Sequence, residues 1–204
     1  MSARRIFAGM IVMLFATFMS LTAAAQSSAA SSQTGSNPTY GAKSNDANNP
    51  AGASAKTSDH AFLKNAAEGG KAEVELGQLA VEKASSPEVK QFGQRMVDDH
   101  SKANQRLEQV ANKEGVTLPT SLDAKDQALK DKLSNASGEQ FDHLYMSNMV
   151  RDHQQDVREF RQEANNGQDP DVKQFAQQTL PTLQEHLKQA ESIAPKAKQQ
   201  ASNR

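Results

Sequence analysis

Between residues 59 and 194, apolar side chains recur at intervals of three and four rather than two, which predicts helices and leaves no strand pattern. Four long helices are expected, over 59–84, 87–114, 138–165 and 170–194. Pro87 and Pro170 each follow a polar break, at the place where proline opens a helix. Gly115 ends the second helix and Asn166-Gly167 the third. The connection 115–137 is long, and a short helix fits over 124–133.

The chain also repeats itself. Residues 87–92, P-E-V-K-Q-F, return as P-D-V-K-Q-F at 170–175, and the same shift carries Asp59-His60 onto Asp142-His143 without a gap. Phe62 falls on Tyr145, Val74 on Val157 and Glu73 on Asp156. Two copies of one helical hairpin, related by a pseudo-twofold and joined by a long crossover between the second and third helices, describe an all-α, ferritin-like four-helix bundle.

Taking about 100° per residue, each helix gathers an apolar face. The first collects Phe62, Leu63, Ala66, Gly70, Val74, Gly77, Ala80, Val81 and Ala84, with Glu73 inside that arc. The second collects Val89, Phe92, Met96, Ala103, Leu107 and Val110 around His100. The third sets Tyr145, Met146, Met149, Val157, Phe160 and Ala164 around His153 and Asp156, and the fourth sets Val172, Phe175, Ala176, Leu183, Leu187 and Ala190 around His186.

Every helix thus turns at least one ionisable group inward. A buried charge needs a partner, a hydrogen bond or a metal, because leaving it bare costs several kcal/mol. One inward histidine alone is usually a core residue bonded to a neighbour. Three histidines and two carboxylates from four helices form a ligand pool for a metal: Glu73, His100, His153, Asp156 and His186. Met96, Met146 and Met149 read as core filling. His60 and His143 fall in first turns and read as surface or capping groups, while Asp99 and Asp152 are expected to point away from the core.

Residues 1–25 have the three parts of a secretory signal peptide: Arg4-Arg5, an apolar run from Ile6 to Leu21, and Ala23-Ala24-Ala25. That reading implies a periplasmic or secreted protein. Residues 26–57 are rich in Ser, Ala and Asn and read as a disordered tether, since they offer little to bury against the entropy of ordering. The domain then spans 58–196, followed by a polar tail, 197–204. With no cysteine, disulfides and thiolate ligands are excluded. Without Arg4 and Arg5 the chain has 21 basic against 24 acidic side chains, near −3 and interspersed, so no nucleic-acid partner is expected. Nor is a membrane span expected after the signal is cleaved, and the sequence names no protein partner or oligomeric state.

The stretches A-E-V-E-L-G-Q-L-A (72–80), P-E-V-K-Q-F-G-Q-R-M-V-D-D-H (87–100), M-V-R-D-H-Q-Q-D-V (149–157) and D-V-K-Q-F-A-Q-Q-T-L-P-T-L-Q-E-H-L (171–187) resemble the bacterial family catalogued as domain of unknown function 4142, within the ferritin-like superfamily. The resemblance covers about 58–194. It implies an exported four-helix protein and supplies no reaction. The superfamily's di-iron sites use Glu-x-x-His on two helices, whereas Val97 stands before His100 here, Leu183 before His186, and His153 precedes Asp156. This set suits one divalent ion, iron, zinc, copper or manganese, better than two bridged irons. No nucleophile with its base, phosphate loop or dinucleotide motif accompanies it, so binding is expected ahead of catalysis, with a metal-dependent oxidoreductase as the minority reading. The competing expectation is a structural or stress-related envelope protein whose polar core is a hydrogen-bonded network without metal.

Overall fold

The computed structural model describes residues 50–202, as five helices: α1 (Pro50–Lys83), α2 (Pro87–Glu114), α3 (Ala124–Ser134), α4 (Gly138–Asn166) and α5 (Pro170–Ser202). The expected signal peptide, and the tether up to residue 49, lie outside the described residues. α1 begins at Pro50, so the last residues expected in the tether are helical. α5 runs through Pro195 to Ser202, past the end expected at 194, because Ile193 and Ala197 continue its buried face. Among the described residues no helix is long and apolar enough to cross a membrane.

The four long helices pack as two hairpins, α1 with α2 and α4 with α5, and α3 lies in the crossover against α1 and α4. Gly115 ends α2 in the left-handed conformation at φ 67°, where glycine carries no Cβ penalty. Gly167 is needed for a different reason. Its φ is −52°, but a Cβ there would stand 2.4 Å from the Glu163 carboxylate and 2.7 Å from its carbonyl oxygen. Within the first hairpin, α1 and α2 touch backbone to backbone, since a Cβ on Gly93 would meet Gly77 O at 2.9 Å and Ala80 Cβ at 2.7 Å.

The repeated aspartates tie the hairpins together reciprocally. Asp142 of α4 accepts from Ser85 N at 3.0 Å, Ser85 Oγ at 2.5 Å and Ser86 N at 2.8 Å, so it caps the start of α2. Asp59 of α1 accepts from Gln168 N at 3.0 Å and Asp169 N at 2.6 Å, capping the start of α5. Each hairpin therefore satisfies the open amides at the turn of the other, where a helix N-terminus favours negative charge. These are the D-H pairs of the two repeats, and the aspartate rather than the histidine is the structural member.

Glu163 shares the corner with Asp59. Burial raises its pKa first, and the Asp59 charge and hydrogen bond add to it, to about 7. An unfolded glutamate titrates near 4.5, so the stability held by the native proton is complete below that pH and lost as the pH rises to about 7. Glu163→Gln keeps the neutral form at every pH. It is expected to be about 1–3 kcal/mol more stable than the parent at pH 8 and no more stable at pH 4, as measured by urea unfolding. Equal pH slopes in parent and variant would contradict this.

Apolar burial falls into two clusters. One, around Leu76, Phe92, Met96, Phe141, Tyr145 and Met149, lies towards the α1–α2 turn. The other, around Leu63, Leu107, Val157, Phe160, Phe175 and Leu183, lies towards the α4–α5 turn. Each fully buried large side chain contributes about 1.5–3 kcal/mol. The expected faces of the second to fourth helices are buried here, with Val110 and Leu187 only partly so. α1 differs. Leu76, Ala72 and Ala67 are buried while Val74 and Val81 are half-buried, because α3 and α4 cover a flank of α1 that a single hairpin would leave open.

Candidate metal centre

Between the two apolar clusters lies a polar layer. The helical register sets it: His100 follows Met96 and precedes Ala103 and Leu107, His153 lies between Met149 and Val157, His186 between Leu183 and Ala190, and Glu73 precedes Leu76. All four polar groups are buried, His153 and His186 at 0 % exposure and Glu73 at 3 %. One ring nitrogen from each of His100, His153 and His186 lies within 4.8 Å of the others.

The hydrogen-bond partners fix which nitrogen faces inward. His153 Nδ1 lies 3.0 Å from the Met149 carbonyl oxygen and 3.2 Å from Glu73 Oε1. Both are acceptors, so Nδ1 carries hydrogen and Nε2 keeps a lone pair. His186 Nε2 lies 3.0 Å from Asp99 Oδ2. Burial would raise Asp99, but hydrogen bonds from His186 and Arg95 outweigh it and hold the carboxyl below its usual range. His186 Nε2 therefore donates, leaving the lone pair on Nδ1. The two lone-pair nitrogens, His153 Nε2 and His186 Nδ1, face each other at 3.3 Å. Two acceptors so placed repel unless a positive charge, a proton or a metal ion, stands between them.

Burial pushes His186 down to about 4, the nearby His100 and His153 adding to the effect against the opposing Asp99 bond, so the ring is neutral at pH 7. For Glu73, burial alone would raise the carboxyl, but the electrostatic attraction of His100 and His153 and the close contact with His100 win and hold it at about 2. Both shifts act in the same direction on acidification. The unfolded chain binds protons that the native state refuses, at His186 between pH 6.5 and about 4, and at Glu73 between 4.5 and about 2. Chelator-treated protein is expected to lose about 3 kcal/mol of unfolding free energy between pH 7 and 4, and His186→Leu to lose that slope. A parent as stable at pH 4 as at pH 7 would contradict the neutral assignment of His186.

Asp99 was expected to point away and instead completes the layer. It stands on the flank of α2 that meets α5, where Arg95 holds it at 3.3 Å while also donating to Glu185 at 2.8 Å and Gln189 at 3.0 Å. An inner histidine whose outer N–H is gripped by a carboxylate or a carbonyl is the usual support of a metal ligand. Asp156 does not join the three histidines. It is half-buried in an adjoining pocket, where burial and then the Glu73 charge push its carboxyl well above the usual range. His60 and His143 stay outside the layer, His143 Nδ1 lying 3.2 Å from Ser147 Oγ.

The residues fit a divalent cation. His100 Nε2 lies 2.5 Å from Glu73 Oε2 and His153 Nδ1 3.2 Å from Oε1, contacts whose angles depart from good hydrogen bonds and leave the carboxylate only partly satisfied inside the bundle. Buried polar atoms of this kind carry a penalty of about 1–3 kcal/mol each, which a bound cation would remove. Three imidazoles and one carboxylate are donors of the type that zinc, copper, iron and manganese accept.

Four long helices with a crossover and a mid-core histidine layer define a helical-bundle domain whose fold recurs in a solved structure. A DUF305 fragment from Deinococcus radiodurans superposes with a TM-score of 0.61 at 15% identity, covering 68% of this chain and 96% of that one. The chain belongs to the family described as Domain of unknown function (DUF4142), whose profile matches residues 44–193. No curated protein matches it in sequence.

Proposed function

We propose that the protein binds one divalent transition-metal ion in its core, on His100, His153 and His186, with Glu73 as the charge-balancing fourth group. The observation that carries this reading is the pair of lone-pair nitrogens at 3.3 Å, backed by Met149 O and Asp99 and joined by a third buried imidazole. When bound, the ion would supply Lewis acidity in a closed site. The protein's own residues orient the rings, exclude water and hold one negative charge beside them. Asp156 is an outer participant on this reading. The leader-like residues 1–25 favour export, so the bundle acts in the periplasm or outside the cell. Binding, storage or protection from a metal suits so enclosed a site better than turnover.

The second reading replaces the metal by a proton shared between His153 and His186, making the layer a structural network that fixes helix register. The same 3.3 Å contact favours it. Competition against a chromophoric zinc chelator separates the two. The metal reading expects one zinc per chain, with affinity reduced at least tenfold in each of His100→Ala, His153→Ala and His186→Ala. Zinc binding that is absent, or indifferent to all three, would leave the proton network.

A further inference from the structure

The histidine layer is closed above and below by the two apolar clusters, and α2 and α5 close it from behind. On the remaining side α1 packs against α4, and α3 lies against both. A pocket of about 150 Å³ lies there, large enough for several waters. Glu68 and Glu73 of α1, Asp126 of α3, and Asp152, Asp156 and Glu159 of α4 line it, with Lys125 as the one cationic side chain. Lys125 lies only loosely against Asp152, at 3.9 Å.

Part of this acidity has a local cause. Asp123 caps α3 by accepting from Asp126 N at 2.7 Å, and acids in a first turn complement the helix dipole. Besides Glu73, α1 and α4 add Glu68, Asp152, Asp156 and Glu159, none of which caps a helix; Asp152 accepts from Asn148 and lies 3.7 Å from Arg151, and Glu159 accepts from Gln155 at 2.8 Å. Two further observations point to a cation. Glu73, 3 % exposed and met among the described residues only by His100 Nε2 at 2.5 Å and His153 Nδ1 at 3.2 Å, lines both the pocket and the histidine layer. Asp126 is only 9 % exposed, and among the described residues no hydrogen bond or ion pair holds its carboxylate; burial, then the Asp123 charge, raises its pKa.

We infer that this acidic pocket between α1, α3 and α4 is the route by which a hydrated divalent cation enters the core, with Glu73 as the inner group that passes it to the histidines. The inference rests on the metal reading of that centre. A cleft walled by one sign of charge and low-dielectric protein concentrates counter-ions and raises association rates by about 10- to 1000-fold. Because the carboxylates act at range through water, they need no preformed ligand shell. Glu73 belongs to both chambers, so the ion exchanges water for protein ligands without crossing an apolar barrier.

The test is stopped-flow uptake of Co²⁺ by the chelator-treated full chain, followed through its visible absorption. Glu68→Gln with Glu159→Gln is expected to slow the second-order rate about tenfold at low ionic strength and to weaken its salt dependence, while the final Co²⁺ per chain stays the same. The control, Glu108→Gln with Glu191→Gln, removes two acids outside the pocket and should leave the rate unchanged. Equal rates in parent and pocket variant, or equal slowing in the control, would overturn the route while leaving the centre intact. A parent that takes up no Co²⁺ would overturn the centre, and the route with it.

Discussion

Zinc at a thousandfold excess over its dissociation constant is expected to stabilise the folded protein by about 4 kcal/mol, and His153→Ala to lose that stabilisation entirely. A ligand that binds only the native state shifts unfolding by its own mass action, and the ring geometry needed here exists only when four helices are assembled. His153 is the member whose loss matters most. It is fully buried, it touches Glu73 on one side, and its Nε2 is one of the two facing lone pairs. Urea unfolding of parent and variant, each with zinc and with chelator, gives the effect as a difference of differences. A cost of the alanine substitution that appears equally with and without zinc is a packing effect, and a variant that keeps the full zinc shift would remove His153 from the centre.

A comparable loss is expected far from the histidine layer. Asp142→Ala should destabilise the protein by about 3 kcal/mol or more. The substitution strands two backbone amides and the Ser85 hydroxyl at the start of α2, and bonds to a charged acceptor are worth about 1.5–3 kcal/mol each before partial replacement by water. Asp142 is 0 % exposed, so little water can take over. Asp59→Ala, which strands two amides at the start of α5, should cost less. Urea unfolding with chelator present measures both. A loss below about 1 kcal/mol for Asp142→Ala would mean that the hairpins are held by apolar packing alone.

The parts legible in the sequence were those set by local pattern. α2 begins at Pro87 and ends before Gly115 as its proline and glycine require, and α3 and α4 fall within a residue of their expected limits. His100, His153, His186 and Glu73 were visible because each interrupts an apolar stripe at helical spacing. Asp99 was not, because a helical wheel centred on one apolar face treats a residue about 100° away as outward. In a bundle that flank faces the next helix, and only the packing of α5 against α2 brings His186 to it. The roles of Asp59 and Asp142 were hidden for a related reason: their partners lie 109 and 57 residues away, beyond any local capping signature. The repeat matched the two aspartates to each other but could not say that each serves the other's hairpin. Its symmetry also stops at the centre, since His100 aligns with Leu183, His153 with Gly70 and His186 with Ala103, so no imidazole has a counterpart in the other repeat.

Elemental analysis of the full chain, purified without an affinity tag or added metal from the cells that process it, beside His100→Ala/His153→Ala/His186→Ala, tests the metal centre most directly. Close to one transition-metal ion per parent chain and none in the triple variant is the expected result. A parent free of metal that also fails to take up zinc, copper, iron or manganese would contradict it, and the layer would be a proton-sharing network.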